Sequence, residues 1–281
     1  MNLRTVWNVA ADVLREAIFS KYLIVLFGII FVGLVSLALS LDLEVVDGMI
    51  SAGKLFGGSI ISGKPVAAGE LLQSIMPVIV YLVSFLGSIF MIIAVADIAP
   101  RVLQPGRVEL TLSLPIRRHE LVMGIYLGVL IIAAATSLFG IGGASLVLFV
   151  KLKMASAAPL VGALTALVGF LAIYGAMLAT SCVARSPALS AGFGFLIFGS
   201  GIATSDRRLV LSLMKSGVTR ELAALVMGPL PRLKTLADIG GEFAAGQAIR
   251  WGEAVPVIGG SVAFGFFFVA LACIVVTVKD Y

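Results

Sequence analysis

Residues 71–96 read LLQSIMPVIVYLVSFLGSIFMIIAVA, 26 residues without one charged side chain. A helix crossing a bilayer needs about 20 consecutive apolar residues, so this run is long enough to span. The residues that follow, DIAPRVLQPGRVELTLSLPIRR from Asp97 to Arg118, reverse the composition, with Asp97, Arg101, Arg107, Glu109, Arg117 and Arg118. At Leu121 a second long apolar run begins and continues to Val150. Two spans joined by a concentrated charged connection set the reading of the rest.

The same alternation extends in both directions. Tyr22–Leu41, Pro159–Val183, Ala188–Thr204 and Val255–Val278 are also long and apolar, which makes six candidate spans. The chain has 281 residues, 60% hydrophobic and 12% charged, with a mean hydropathy of +1.14. Soluble domains carry about 25% charged residues; half that fraction does not provide a water-facing surface for a globule of this size. The sequence therefore predicts an all-α integral membrane protein, one transmembrane domain over 1–281, with six transmembrane helices. The net charge of +5 reports orientation in such a chain rather than nucleic-acid binding. Cys182 and Cys273 both lie in apolar runs and form neither a metal-binding spacing nor a disulfide framework. The first 20 residues hold Arg4, Asp12, Arg15 and Glu16, which argues against a cleavable signal peptide.

Those residues read instead as an amphipathic helix. Leu3, Val6, Trp7, Ala10, Val13, Leu14, Ala17 and Ile18 recur at helical spacing, and Arg4, Asn8, Asp12, Arg15 and Glu16 take the other face. With Trp7 on the apolar side, Arg15 on the polar side and a span following directly, the expectation is a helix lying in the membrane interface.

Orientation follows from Lys and Arg in the short flanks. With the N-terminus inside, the cytoplasmic side holds nine (Arg4, Arg15, Lys21, Arg101, Arg107, Arg117, Arg118, Arg185, Lys279) and the outer short loops hold four (Lys54, Lys64, Lys151, Lys153). Both termini are expected in the cytoplasm. Seven further basic residues fall in the long outer loop 205–254, and long loops translocate largely regardless of charge. The other large outer connection, 42–70, is glycine-rich and reads as mobile. Within 205–254, residues 206–228 read as one helix and a second short helix starts near Arg232, giving either a cap or docking surface for an outer partner or a connection lying on the surface. In the third run, Gly140–Gly143 is a candidate break. Small residues four apart, Gly124/Gly128, Ser84/Ser88 and Gly175/Ala179, allow close helix approach. The glycine-rich fifth run reads as a candidate interface or moving helix.

Catalytic chemistry is sparse. His119 is the one histidine, followed by Glu120, and Met123 stands where a zinc protease of HExxH type needs its second histidine. Ser200 has no base within the membrane. The six runs contain no Asp, Glu, Lys or Arg, the residues on which proton- and ion-coupled transport generally depends. No catalytic, cofactor or metal residue is expected.

The layout resembles the permease subunits of type-2 ATP-binding-cassette (ABC) transporters: a leading amphipathic helix, six spans, a charged connection between spans two and three, and a long outer loop before span six. The residues that carry the resemblance are Gly106, Glu109, Leu110, Leu112, Leu114, Pro115, Arg117, Arg118, Gly124 and Gly128, together with LREAIFSKYLIVL, PLPRLKTL and the VTVKDY tail. Arg107 and Ile125 depart from the family pattern, which often has Thr and Lys there. The layout is similar to the six-span permeases of nitrous-oxide-reductase maturation.

The resemblance implies a subunit with no ATPase of its own, in keeping with the absence of GxxxxGK[ST]. It implies ATP and Mg²⁺ held by a separate ABC ATPase, a second permease copy as a homodimer, an inner-membrane location surrounded by lipid, and no nucleic-acid partner. It implies that 97–119 is the element that docks into the ATPase, a short helix with Arg101, Arg107, Glu109, Arg117 and Arg118 as polar anchors and Leu110, Leu112 and Leu114 as the packed knob. By period alone VELTLSL alternates as a strand does, and a charged loop that only fixes topology has the same composition. A membrane scaffold without transport and a small secondary transporter are the competing functional classes.

Overall fold

The structure is a computed structural model that describes residues 3–46, 49–55, 58–59, 66–104, 106, 116–153, 158–207, 211, 220–221, 225 and 227–278. Helix α1 (Leu3–Ile18) is followed at Ser20 by α2 (Lys21–Ser40); the Ser20 hydroxyl accepts from Leu23 N–H at 3.2 Å and caps the second helix. Short strands β1 (Leu41–Val46), β2 (Met49–Leu55), β3 (Gly58–Ser59) and β4 (Val66–Ala67) lead into α3 (Ala68–Val95) and the single turn α4 (Ile98–Val102). After the charged connection come α5 (Arg118–Ser137), a π-helical turn (Leu138–Gly142), α6 (Gly143–Leu152), α7 (Ala158–Ala184), α8 (Pro187–Ser205), α9 (Leu233–Ala244) and α10 (Trp251–Val278).

Six stretches are long and apolar enough to cross a membrane: Lys21–Ser40, Gly69–Val102, Arg118–Leu152, Pro159–Ala184, Pro187–Ser205 and Trp251–Val278. They coincide with the six runs read from the sequence. The predicted break at Gly140–Gly143 is the π turn, a local widening of the helix that accommodates one extra residue.

Within the connection 42–70, read from the sequence as a glycine-rich loop, the described residues pair as a small sheet. β1 and β2 run antiparallel from Leu41 opposite Leu55 to Val46 opposite Met49, with an irregularity between Glu44 and Val45, and β3 and β4 both pair with β2. LDLEVV and the partner run starting at Met49 satisfy their backbone groups across the hairpin, which the glycine count concealed.

The bundle is organised around α7, which packs against α5, α8, α9 and α10. At its centre α7 and α10 meet backbone to backbone. A Cβ added at Gly175 would stand 2.6 Å from the Gly265 carbonyl oxygen, and one at Gly265 would stand 2.9 Å from the Leu171 carbonyl oxygen. Beside this crossing Tyr126 of α5 stacks on Tyr174 of α7 at 6.0 Å, and its hydroxyl donates to the Leu171 carbonyl at 3.1 Å.

The leading helix departs from its expected setting. Its apolar stripe, Val6, Val9, Ala10, Val13 and Ala17, is buried, and the cover is α5 rather than lipid. Gly124 and Gly128 lie directly under Val9 and Val13; an added Cβ would come within 2.5 and 2.8 Å of those side chains. Trp7, assigned to the apolar face, is 57% exposed and lies off the packed stripe. Arg15 pairs with Asp12 at 3.8 Å on the open face.

Gly124→Leu is expected to push α1 off α5 at a cost of about 1–3 kcal/mol, read as a lower thermal midpoint in detergent. Gly28→Leu serves as the control, because an added Cβ there meets nothing within 4 Å, and is expected to leave the midpoint unchanged.

Candidate functional site

Polar side chains gather at the bundle end where α1 stops and α2, α5 and α8 begin. Arg101 of α4 sits between two carboxylates: Asp97 one turn earlier, to which it is hydrogen-bonded, and Glu16 of α1 at 3.5 Å. This side chain ties the end of span two to the leading helix. Arg118, the first residue of α5, donates to the carbonyls of Val276 at 3.2 Å and Thr277 at 3.3 Å, the last turn of α10. Terminal helix carbonyls have no partner within their own helix and carry partial negative charge, so a guanidinium there closes the ladder and ties span three to span six. Between these two arginines runs the charged connection.

At the start of α5 the buried Glu120 carboxylate accepts from the Arg117 N–H at 3.3 Å, so the helix opens with an acid at its positive end. His119 beside it is half-buried. On the same side, Arg185 takes a left-handed conformation with φ 49°, and Ser186 and Pro187 then open α8.

Of the residues expected to dock a partner, Arg107, Glu109, Leu110, Leu112 and Leu114 lie outside the described residues, as does the short helix assigned to them. Arg101 and Arg118 are engaged with Glu16 and with the α10 carbonyls, so their places are internal ties at the two borders of the connection. Arg117 is exposed.

The opposite end of the bundle holds a feature the sequence reading did not find. Helix α9 begins at Leu233, as expected near Arg232, but it does not lie on the surface. It packs among α3, α7 and α8. Leu233 rests on Gly169 and Gly201, and Gly240 lies against Thr165, Val80 and the Gly162 backbone. Gly169 stands about 16 Å along α7 from its first residue, so α9 reaches well between the spans. Leu233, Leu236, Ala237, Gly240, Gly241 and Ala244 are all buried; they recur at i, i+3, i+4 and i+7. That small-residue face was present in LKTLADIGGEFA and was the available signal.

Polar ties hold α9 in place. Lys234 donates to Asp206, at the end of α8, at 2.7 Å. Asp238 accepts from the Tyr81 hydroxyl of α3. Glu242 accepts from Arg250 at 3.0 Å, and Arg250 also pairs with Glu253 of α10 at 3.6 Å. The hydrogen bond to Asp206 and its negative charge push the Lys234 ammonium above the usual lysine range. That tie is therefore intact below the ordinary lysine value of about 10.4 and is lost as pH rises through the raised one. Beneath α9, the Ser84 hydroxyl of α3 is buried without a hydrogen-bond partner among the described residues.

Among the described residues no three His, Cys, Asp or Glu side chains gather where they would hold a metal ion. Cys182 is buried and Cys273 half-buried, and neither forms a disulfide. No family model and no curated protein matches the chain.

Gly240→Leu is expected to lift α9, because the added Cβ would meet Thr165 Oγ1 at 2.6 Å and the Gly162 Cα at 3.3 Å. A cysteine at Ala237, which is 2% exposed, is expected to resist a water-soluble maleimide in the parent chain and to react in the Gly240→Leu background. For the other end, Arg118→Ala is expected to free the last turn of α10, read as faster backbone hydrogen exchange at Val276–Val278 with no change in the core of α7.

Proposed function

We propose that this chain is the permease subunit of a type-2 ABC transporter, two copies of which work with separate ATPase subunits that bind ATP and Mg²⁺. The observation that supports it most is the pair of ties at the borders of the charged connection. Arg101 links one border to Glu16 of α1, and Arg118 links the other to the end of α10. A displacement of the connection is thereby delivered to the leading helix and to spans two, three and six together. A loop that served only as a topology signal has no use for this linkage.

In this reading the ATPase grips Arg107, Glu109 and Arg117, and Leu110, Leu112 and Leu114 fill a pocket on it. Closure of two ATPase subunits around ATP then pushes on α4 and α5. The nine-to-four distribution of basic residues supports a chain in an inner membrane with both termini in the cytoplasm. Helix α1 lies along the cytoplasmic surface, with α5 covering one side and Leu3, Trp7 and Phe19, all exposed, turned toward lipid headgroups. The loop 205–254, with α9 wedged between spans, faces outward, where a periplasmic partner would meet it. The work done is substrate movement between two permeases, in the direction of export, or force passed to that outer partner.

Co-purification tests the proposal. The parent chain is expected to bring an ATPase carrying a P-loop out of the native membrane, and the double change Glu109→Ala, Arg117→Ala to lose it. Arg101→Ala is expected to keep the ATPase bound while losing transport-linked ATP hydrolysis. A chain that never carries an ATPase is a scaffold, and gradient-driven uptake without ATP marks a secondary transporter; either result ends the proposal.

A further inference from the structure

The buried apolar side chains form two separate cores stacked along the spans. Among the described residues, α1, α8 and α10 contribute only to the larger core and α6 only to the smaller. The other spans pass from one to the other within a few residues: α2 between Ile30 and Leu37, α3 between Val83 and Phe85, span three between Ala133 and Ile141, and α7 between Ala163 and Leu167. Three kinds of weakness coincide at that level. Span three leaves α-helical geometry at the π turn, and its two halves have different supports: α5 packs chiefly on α1, α7 and α10, and α6 on α2, α3 and β1. In three spans a hydroxyl donates back to the preceding turn, an arrangement that bends helices: Ser88 to the Ser84 carbonyl, Thr136 to the Ile132 carbonyl at 2.8 Å, and Thr165 to the Gly162 carbonyl at 3.0 Å. The Ser84 hydroxyl, on the boundary in α3, is buried without a partner among the described residues. Packing is loose there too. A cleft of about 280 Å³ flanked by α2, α3 and span three lies astride the boundary, and a cavity of about 20 Å³ lies beneath α9.

We infer that this boundary is a hinge: α6 and the adjoining ends of α2, α3 and α7 move as one body against the rest of the bundle, and span three bends at the π turn. The shared level of the weaknesses selects a hinge over scattered defects. A lone π turn would soften one span and leave the other three as rigid struts. Here α3 and α7 carry their back-bonded hydroxyls at the level of the π turn. Helix α2 has Gly33 on its own boundary, where an added Cβ would meet nothing within 4 Å. Close packing holds side chains in one arrangement, and the cleft removes part of that restraint on one flank. The two bodies therefore approach and part on the side of the cleft. This inference stands apart from the transport proposal and does not depend on an ATPase.

The test measures distances between pairs of spin labels by pulsed electron resonance, on the full chain in lipid vesicles with Cys182 and Cys273 replaced by alanine. Labels go on cysteines introduced at Leu39, Leu160, Leu189 and Ile274, all exposed. The pair at Leu160 and Ile274 crosses the boundary. The pair at Leu39 and Leu160 lies within the moving body, and the pair at Leu189 and Ile274 within the rest, so each label of the crossing pair also reports inside one body. The expected result is a crossing distribution at least twice as wide as either internal one. Gly87 lines the cleft and an added Cβ there makes an ordinary 3.7 Å contact with Val83. Gly87→Leu fills the cleft and is expected to narrow the crossing distribution to the internal width. Gly28→Leu, at an open position outside the cleft, is expected to leave it wide. Should Gly87→Leu fail to fold, Gly142→Ala takes its place, stiffening the π turn where an added Cβ meets nothing within 4 Å. Equal widths for all three pairs, an internal pair as wide as the crossing one, or a crossing width unchanged by the stiffening variant would each overturn the inference.

Discussion

The contact between Gly175 and Gly265 lets α7 and α10 touch through their backbones, and the rest of the bundle is arranged around that crossing. In a bilayer, burying leucine against leucine gains little, because lipid tails are equally apolar; helices are held by close packing and by hydrogen bonds. Glycine permits the closest approach. The same device recurs wherever α7 or α5 receives another element: Gly124 and Gly128 under α1, Gly169 and Gly201 under Leu233, and Gly162 opposite Gly240. Helix α2 is seated at one point, where its Leu34 lies on Gly143, while its own Gly28 and Gly33 have open space beside them.

Among the described residues the charged ties lie at the two ends of the bundle. At one end Arg101 and Arg118 tie four helices around the charged connection. At the other, Lys234, Asp238 and Glu242 fasten α9 to the residue after α8, to Tyr81 of α3 and to the residue before α10. The spans between carry hydroxyls that mostly bond back to their own carbonyls, as Thr136, Thr180, Ser181 and Ser261 do.

Much of this was legible in advance, for reasons that differ element by element. Uncharged runs of 17 residues or more permit little but a span, so the six long apolar helices followed directly. The Gly140–Gly143 break was readable because several glycines in one helix weaken it locally. The hairpin at 41–55 was not, since glycine in a loop and glycine in a strand look alike without knowledge of the pairing partner. The leading helix was readable as amphipathic, but two kinds of apolar surface, lipid and α5, compete for its stripe, and only the docking of Val9 on Gly124 and Val13 on Gly128 chose between them. Helix α9 was placed near its true start yet assigned no depth, because its mixture of Lys234, Asp238 and Glu242 with small residues resembles a surface helix until those side chains find Asp206, Tyr81 and Arg250.

By itself the sequence determined six long apolar helices able to cross a membrane, with the charges gathered in the segments outside them, because hydrocarbon excludes charge and demands internally satisfied backbones. Tertiary structure alone decided which glycines meet, which arginines are ties and that α9 enters the bundle. Those outcomes depend on pairs of residues as distant as Arg118 and Val276, and no local pattern encodes a partner that lies 158 residues away in the chain.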